Sequence, residues 1–171
     1  MVNRFSVIER LIRALLLDRG VYDAVASERV GLSQAIGVVL LAGISTGASL
    51  HALPGTIGAL FGILVSVVGW VTLSVLTYVI GRWVVRGGPS SMRAVAACLG
   101  FADAPAVFNL MAVIPRVGGL VRVIVWFWLL ATTMVAAQSA FRTSRARGAA
   151  IGGLAFAAYL FVGVLVGIWS S

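Results

Sequence analysis

Five long apolar runs follow one another along this chain, and they constrain its fold more than any other feature. The shortest run has 20 residues. An α-helix of that length rises ~1.5 Å per residue and spans ~30 Å, the thickness of the hydrocarbon core of a bilayer. A chain crossing that core must satisfy its backbone hydrogen bonds internally, so each run predicts a transmembrane helix. The predicted spans are residues 31–50, 56–81, 92–114, 120–141 and 149–169.

The composition agrees with this prediction. Hydrophobic residues make up 61% of the chain and charged residues 11%, against roughly 45–50% and ~25% in soluble globular proteins. The mean hydropathy is +1.08. These values exclude a soluble enzyme, a disordered chain and a disulfide scaffold. They predict an all-α membrane protein with five transmembrane helices and an N-terminal amphipathic interfacial helix.

The basic residues predict an orientation in the membrane. All 13 are arginine, and the formal net charge is +8. If all five runs cross the membrane, eleven arginines lie on one side and only Arg116 and Arg122 on the other. The positive-inside rule then places the N-terminus in the cytoplasm and the C-terminus outside, in a cytoplasmic (inner) membrane of bacterial type. Because the arginines lie between apolar runs and not along one face, we expect no nucleic-acid binding.

The segment before the first run has the pattern of a helix lying on a membrane surface. Ser6 and Glu9 form an S-x-x-E capping box, and Arg10 and Arg13 lie opposite an apolar stripe. The stripe contains Phe5, Ile8, Leu11, Ile12, Leu15 and Leu16. We therefore divide the chain into a cytoplasmic amphipathic helix and connector (1–30) and a five-helix transmembrane domain (31–171). The alternative, that this stripe packs on the protein's own bundle, is compatible with the first interpretation.

The third run contains the polar residues that most need an explanation. Asp103, Pro105 and Asn109 lie near its middle, where a charge costs at least ~2.5–3.5 kcal/mol on insertion scales. One interpretation makes Asp103 a proton- or ion-binding carboxylate in a transport path. The favoured one makes Asp103 a cap for the half-helix that begins where Pro105 interrupts the hydrogen-bond ladder. Arg122 is too far along the predicted fourth span to pair with Asp103, so we expect it to reach the outer surface.

Glycines spaced by four residues predict close helix packing. The predicted packing glycines are Gly43, Gly47, Gly58, Gly62, Gly148, Gly152, Gly163 and Gly167. Gly43–Gly47 also matches the G-x-S-x-G pattern of serine hydrolases, which needs a strand-to-helix turn that a membrane helix does not supply. We therefore predict no catalytic residue and no enzymatic activity.

Metal and cofactor sites are not expected either. The chain has one cysteine, Cys98, and one histidine, His51, which is too few for a zinc or redox-metal cluster. Trp83 and Trp169 have the positions of interfacial belt residues. The deeper tryptophans, at positions 70, 126 and 128, are expected to pack or to face lipid.

Several stretches together resemble the bacterial branch of the Yip (Ypt-interacting protein) family of five-helix membrane proteins. The order and spacing of the stretches carry the resemblance, over most of residues 11–160. The stretches are Leu16-Leu17-Asp18 with Tyr22, Gln34-Ala35-Ile36, Gly69-Trp70, Leu76 to Gly81, Leu99 to Pro105, Ile114-Pro115 with Gly118-Gly119, Trp128, and Ala136 to Ala140 with Ser144 and Arg147. The resemblance implies five spans and, in eukaryotic relatives, helper roles in vesicle traffic with binding to Rab-type GTPases. This chain lacks the long polar N-terminal region of those relatives, which argues against GTPase binding.

Two functions are therefore expected from the sequence. The leading one is a non-enzymatic membrane scaffold or accessory subunit, acting through helix packing on other membrane proteins, on copies of itself and on the lipid bilayer. The alternative is a small ion or solute transport component that uses Asp103 at the interrupted third helix.

Overall fold

A computed structural model describes residues 6–27, 31–49, 55–85 and 91–169, and all regular structure within these ranges is helical. Two short helices precede the spans, and the third span consists of an α-helix followed by a 3₁₀ helix. The elements are α1 (Val7–Leu15), α2 (Arg19–Ser27), α3 (Gly31–Ala48), α4 (Gly55–Val84), α5 (Met92–Ala102), the 3₁₀ segment (Ala104–Val113), α6 (Gly118–Ala140) and α7 (Arg145–Trp169).

The prediction of five spans is confirmed, since five helical stretches are long and apolar enough to cross a membrane. The largest differences from the predicted boundaries are at the end of α4 and at the start of α7. α4 has 30 residues, so at ~1.5 Å per residue it is longer than a ~30 Å core requires. α7 begins at Arg145, so Arg145 and Arg147 belong to its first turn and not to the preceding connection. That connection is only residues 141–144.

The bundle is tightest where α3 crosses α4, and glycines on both helices permit the approach. A Cβ atom on Gly43 would lie 2.7 Å from the Cα atom of Ile63. One on Gly47 would lie 2.8 Å from the carbonyl carbon of Gly58. Gly58 and its neighbour in the motif, Gly62, are buried. Both glycine pairs therefore pack within the chain.

The glycines of α7 divide between packed and open positions. Gly148 lies against Gln138 of α6, and a Cβ atom built on Gly152 would lie 2.6 Å from the Cα atom of Met134. Nothing lies within 4 Å of a Cβ built on Gly163. Only the end of α7 therefore leaves a predicted packing glycine without a contact inside this chain.

The N-terminal helices share a hydrophobic core with the spans. α2 buries Val21, Tyr22 and Val25 in the same cluster as residues of α5 and α6. The Tyr22 hydroxyl donates to the carbonyl oxygen of Ala14 at 3.2 Å, and the Cys98 thiol donates to the carbonyl of Tyr22 at 3.4 Å. Burial raises the pKa of the Tyr22 hydroxyl, which stays protonated and remains a donor.

α1 begins with a side-chain cap and docks on the bundle with one arginine buried. The Ser6 hydroxyl accepts from the backbone N–H of Glu9 at 3.2 Å, and Arg13 pairs with Glu9 at 3.2 Å. Arg10, which is predicted to lie opposite the apolar stripe, is turned toward the bundle. Its side chain is only 1% exposed and donates to the Oε1 atom of Gln34 at 3.2 Å.

The physical reason lies in what the bundle offers to α1. Gln34 supplies a polar acceptor for the guanidinium, and a buried charge needs such a partner. Leu11 and Leu15 pack against the core from the edge of the helix. As a result three apolar residues of the predicted stripe point away from the protein: Ile8, Ile12 and Leu16. Phe5 lies outside the described residues.

Candidate functional site

The third span is interrupted at Asp103, as the proline predicts. α5 ends at Ala102, and the chain continues as a 3₁₀ helix from Ala104 to Val113. The N–H of Ala106 donates to the carbonyl of Asp103 at 2.9 Å, which closes the first tight turn. Runs of 3₁₀ helix longer than 3–4 residues are uncommon, so ten residues of it in one span mark an unusual segment.

The interruption leaves one carbonyl without a backbone donor, and Thr132 supplies a replacement. In a 3₁₀ helix the Ala102 carbonyl would accept from the N–H of residue 105, which proline lacks. Its α-helical donor, Ala106, already bonds to Asp103. The Thr132 hydroxyl, which is fully buried, donates to the Ala102 carbonyl at 2.7 Å. α6 thereby stabilises the broken conformation of the third span.

The Asp103 side chain does not act as the predicted cap. Asp103 precedes the first 3₁₀ residue, yet its carboxylate makes no capping hydrogen bond. The capping interpretation is therefore wrong for the conformation described here. Within the described part of the chain the carboxylate has no ion pair either. Arg122 instead donates to the carbonyl of Ser49 at 3.3 Å. Ser49 directly follows the last residue of α3.

The carboxylate of Asp103 lies on the wall of a cavity of about 180 Å³ between the spans. Every span contributes to this wall. Its polar residues are Thr46, Ser66, Asp103, Asn109, Thr133 and Tyr159, and its aromatic residues besides Tyr159 are Trp70, Trp126 and Phe156. The cavity thus combines one carboxylate, several neutral polar groups and a largely aromatic and aliphatic lining.

Several of the wall residues are held in place by contacts of their own. The indole N–H of Trp70 donates to the carbonyl of Ala96 at 2.9 Å. Trp126 meets Phe156 edge to face, with 5.9 Å between ring centroids. Asn109 donates to the Thr46 hydroxyl at 3.2 Å, which ties the 3₁₀ segment to α3. These contacts orient the rings and the amide before any ligand arrives.

Tyr159 reaches the cavity because α4 has no side chain at Gly69. A Cβ atom there would lie 2.8 Å from the Tyr159 hydroxyl oxygen. The ring of Tyr159 also lies 6.4 Å from that of Phe156. Tyr159 and Asp103 line the same cavity. The phenol and the carboxylate therefore belong to one site.

An apolar groove lies beside the cavity, between α6 and α7. It shares Trp126 and Phe156 with the cavity wall. Its remaining lining is Arg122, Val123, Phe127, Leu130, Met134, Gly153, Ala157 and Leu160. The edge-to-face pair of rings thus separates the polar cavity from a groove that is apolar apart from Arg122.

The structure brings together two of the three site residues predicted in the third run. Asp103 and Asn109 both line the cavity, whereas Pro105 is buried beside it. The aromatic wall was not predicted from sequence, because tryptophans within a span are expected to pack or to face lipid. The available signal was that the second, fourth and fifth predicted spans each contain an aromatic residue away from their ends.

The remaining sequence motifs do not form a site among the described residues. Ser45 of the G-x-S-x-G pattern donates to the Leu41 carbonyl of its own helix at 3.0 Å. His51 lies outside the described residues. No three His, Cys, Asp or Glu side chains of the described ranges lie together as metal ligands would. The structure thus has three separate features: the apolar stripe of α1, the glycine contacts between α3 and α4, and the cavity.

Comparisons with family models, with curated proteins and with solved structures find no match for this chain. The resemblance to the Yip family therefore stays a prediction, which rests on the order and spacing of its short stretches.

Proposed function

We propose that this chain is a non-enzymatic integral membrane protein that binds a small ion or solute in the cavity at its interrupted third span, as a transport component. One observation carries the proposal: Asp103 lines a cavity between the spans, and its carboxylate has no pairing partner among the described residues. Ionisable groups within spans are costly and mark ion or substrate paths. Interrupted helices at mid-membrane depth form the binding sites of many transporters.

The surroundings of Asp103 favour a binding role over a purely structural one. A structural carboxylate gains stability from a cap or an ion pair, and Asp103 has neither in the described residues. Its chain environment is nevertheless well ordered, with Thr132 on the Ala102 carbonyl and Asn109 on Thr46. The Asp103 carboxyl group therefore lies at the cavity and supplies neither a cap nor an ion pair to the fold described here.

Flux through proteoliposomes tests this proposal. The purified protein and its Asp103→Asn variant are reconstituted, and uptake of protons, rubidium ion and choline is measured. We expect at least one flux to exceed that of protein-free liposomes for the wild type and to fall to background for Asp103→Asn. Asp23→Asn is the matched control, because Asp23 lies on α2 in an exposed pair with Arg19 at 3.7 Å. Background flux of all three probes in the wild type, or equal flux in Asp103→Asn, would refute a transport role.

A scaffold or accessory-subunit role is the second candidate, and the lipid-facing side of α4 favours it. Outward-pointing apolar residues run along the whole length of that helix: Leu60, Leu64, Val68, Val71, Val75 and Val79. Such a row fits either lipid or a partner helix. Three of the four glycine pairs already pack inside the chain, so partner helices would have to dock on α4 or on the end of α7. Self-association and binding of other membrane proteins stay predictions.

We also propose that the N-terminus lies in the cytoplasm, and the eleven-to-two distribution of arginines supports this orientation. The resemblance to the bacterial branch of the Yip family supports a location in a bacterial inner membrane. Arg13 and Arg19 on the N-terminal helices are partly exposed, as residues of an aqueous side are. We also propose that the chain is a member of the Yip family, and this proposal rests on the sequence alone.

The N-terminal helix is proposed to lie at the membrane interface, with Ile8, Ile12 and Leu16 in the lipid. Their outward direction supports this, because a water-facing surface of three large apolar side chains would be unfavourable. We expect a spin label at Ile12→Cys, in a Cys98→Ala background, to be accessible to oxygen and protected from a water-soluble relaxation agent. The control label is Ser27→Cys, on the exposed end of α2. Equal accessibility of both labels to the aqueous agent would contradict an interfacial α1.

A further inference from the structure

We propose that the ligand of the Asp103 cavity is an organic monocation, with an ammonium head held between the carboxylate and the aromatic wall. The inference rests on the proposed function, because it assigns a ligand class to the same cavity. It goes further in predicting charge, size and chemical type. Three properties of the wall carry it: its single carboxylate, the neutral character of its other polar groups and its four aromatic rings.

The charge of the wall favours a ligand with one positive charge. Among the lining residues that the structure describes, Asp103 is the only acidic one, and none of them is basic. A charge in a low-dielectric site is stable when an opposite charge pairs with it. A monocation neutralises the carboxylate and leaves no excess, whereas a divalent cation would bring an uncompensated positive charge and an anion would be repelled.

The chemistry of the wall disfavours a divalent metal ion. Calcium and magnesium are bound through oxygen ligands, carboxylates above all. Four hydroxyls, on Thr46, Ser66, Thr133 and Tyr159, accompany the oxygens of Asp103 and Asn109. Two of the hydroxyls are already engaged, since Thr133 donates to the Leu129 carbonyl at 2.7 Å and Thr46 accepts from Asn109 at 3.2 Å. With one carboxylate in the set, a divalent ion would keep an uncompensated positive charge.

The aromatic rings supply what an organic cation needs instead. The faces of tryptophan, tyrosine and phenylalanine attract ammonium groups, most strongly where water is excluded, and aromatic cages recognise quaternary ammonium ligands. Trp126, Phe156 and Tyr159 form a continuous series, with centroid separations of 5.9 and 6.4 Å. Trp70 adds a fourth ring, fixed by its hydrogen bond to Ala96.

The volume limits the size of the head. An apolar cavity of about 150 Å³ is large enough to hold benzene. The Asp103 cavity, at about 180 Å³, therefore accepts a group of roughly six to eight non-hydrogen atoms. Choline and other small tetra-alkylammonium ions are of this size. The neutral alcohol 3,3-dimethylbutan-1-ol has nearly the shape of choline and lacks its charge.

Binding of these two probes to the purified full-length protein in lipid nanodiscs tests the inference, with isothermal titration calorimetry as the readout. We expect choline to bind the wild type and the neutral alcohol to bind at least about tenfold more weakly. Asp103→Asn should abolish the preference for choline. Trp126→Leu should weaken choline binding by between about twofold and thirtyfold, and Trp126→Phe should restore most of it. Asp23→Asn should bind as the wild type does.

A second measurement needs no substitution and so does not depend on how a variant folds. Dicyclohexylcarbodiimide modifies carboxyl groups within membranes, and mass spectrometry locates the adduct. We expect choline to protect Asp103 of the wild type from modification and the neutral alcohol to leave it unprotected.

The outcomes separate this inference from the proposed function. Equal binding of choline and its neutral analogue would overturn the inference, because the cavity would then recognise shape alone. So would a failure of choline to bind or to protect Asp103. If proton or rubidium flux still depends on Asp103 in that case, the transport proposal stands and only the ligand class is wrong. Binding of choline without any flux would support the ligand class and refute transport.

Discussion

Alanine at Gly47 is expected to destabilise the protein by about 3 kcal/mol, the upper part of the range for overpacked sites. The new methyl carbon would lie 2.8 Å from the carbonyl carbon of Gly58 and 3.0 Å from the Cα atom of Ala59. Both are backbone atoms of α4, so no side chain can rotate away. The two helices must separate, which loosens the tightest crossing in the bundle. The midpoint of unfolding in a titration with sodium dodecyl sulfate measures the loss.

Gly37→Ala is the matched control for this prediction. Gly37 lies in the same helix, and nothing is found within 4 Å of a Cβ built there. Alanine is a better helix former than glycine by ~1 kcal/mol in water, so this variant should unfold at the wild-type midpoint or above it. Equal stability of Gly47→Ala and Gly37→Ala would show that α3 and α4 do not cross in contact.

The spans could be predicted from sequence because one physical requirement dominates them. A helix that crosses a bilayer must be long and apolar, and both properties can be counted along the chain. The break in the third span was predictable for a similar reason, since Pro105 cannot donate in the ladder. The partner that satisfies the break was not predictable, because Thr132 lies 30 residues away and nothing in its local sequence marks it.

Only part of the site could be predicted, because some of its residues are unusual in a membrane span and others are not. Asp103 stands out because a carboxylate in a span is costly wherever it points. Trp126 does not stand out, because an aromatic residue in a span suits lipid, packing and a ligand equally well. The direction of Arg10 likewise depends on the position of Gln34 in the assembled bundle. Periodicity gives the faces of a helix but not which face the bundle covers.

Valine at Thr132 is expected to destabilise the protein by about 1–2 kcal/mol. The side chain is fully buried and valine has nearly its shape, so little packing is lost. The change leaves the Ala102 carbonyl without a donor, and a buried unsatisfied group costs ~1–3 kcal/mol. Hydrogen bonds between membrane helices average only ~0.6 kcal/mol, with a maximum near ~1.7. We expect the Thr132 hydrogen bond to contribute a free energy near that maximum, because the Ala102 carbonyl has no alternative backbone donor.

The neighbouring Thr133→Val variant separates this effect from the loss of any hydroxyl. The Thr133 hydroxyl donates to the carbonyl of Leu129 at 2.7 Å, and that carbonyl keeps its partner within α6 when the hydroxyl is removed. Thr133→Val should therefore unfold close to the wild type in the same denaturant titration. If Thr133→Val lowered the free energy of unfolding as much as Thr132→Val does, the effect would come from losing a hydroxyl group. It would then not come from the unsatisfied Ala102 carbonyl at the interruption of the third span.

Pro105→Ala supplies a stricter test of the same explanation. Alanine at this position has the backbone N–H that the Ala102 carbonyl lacks, so the third span gains an internal donor where it now depends on Thr132. In that background Thr132→Val should cost less than it does alone, with a coupling of about 1 kcal/mol. Additive effects of the two substitutions would mean that the hydroxyl and the proline act independently. Thr132 would then not be the group that stabilises the interruption of the third span beside Asp103.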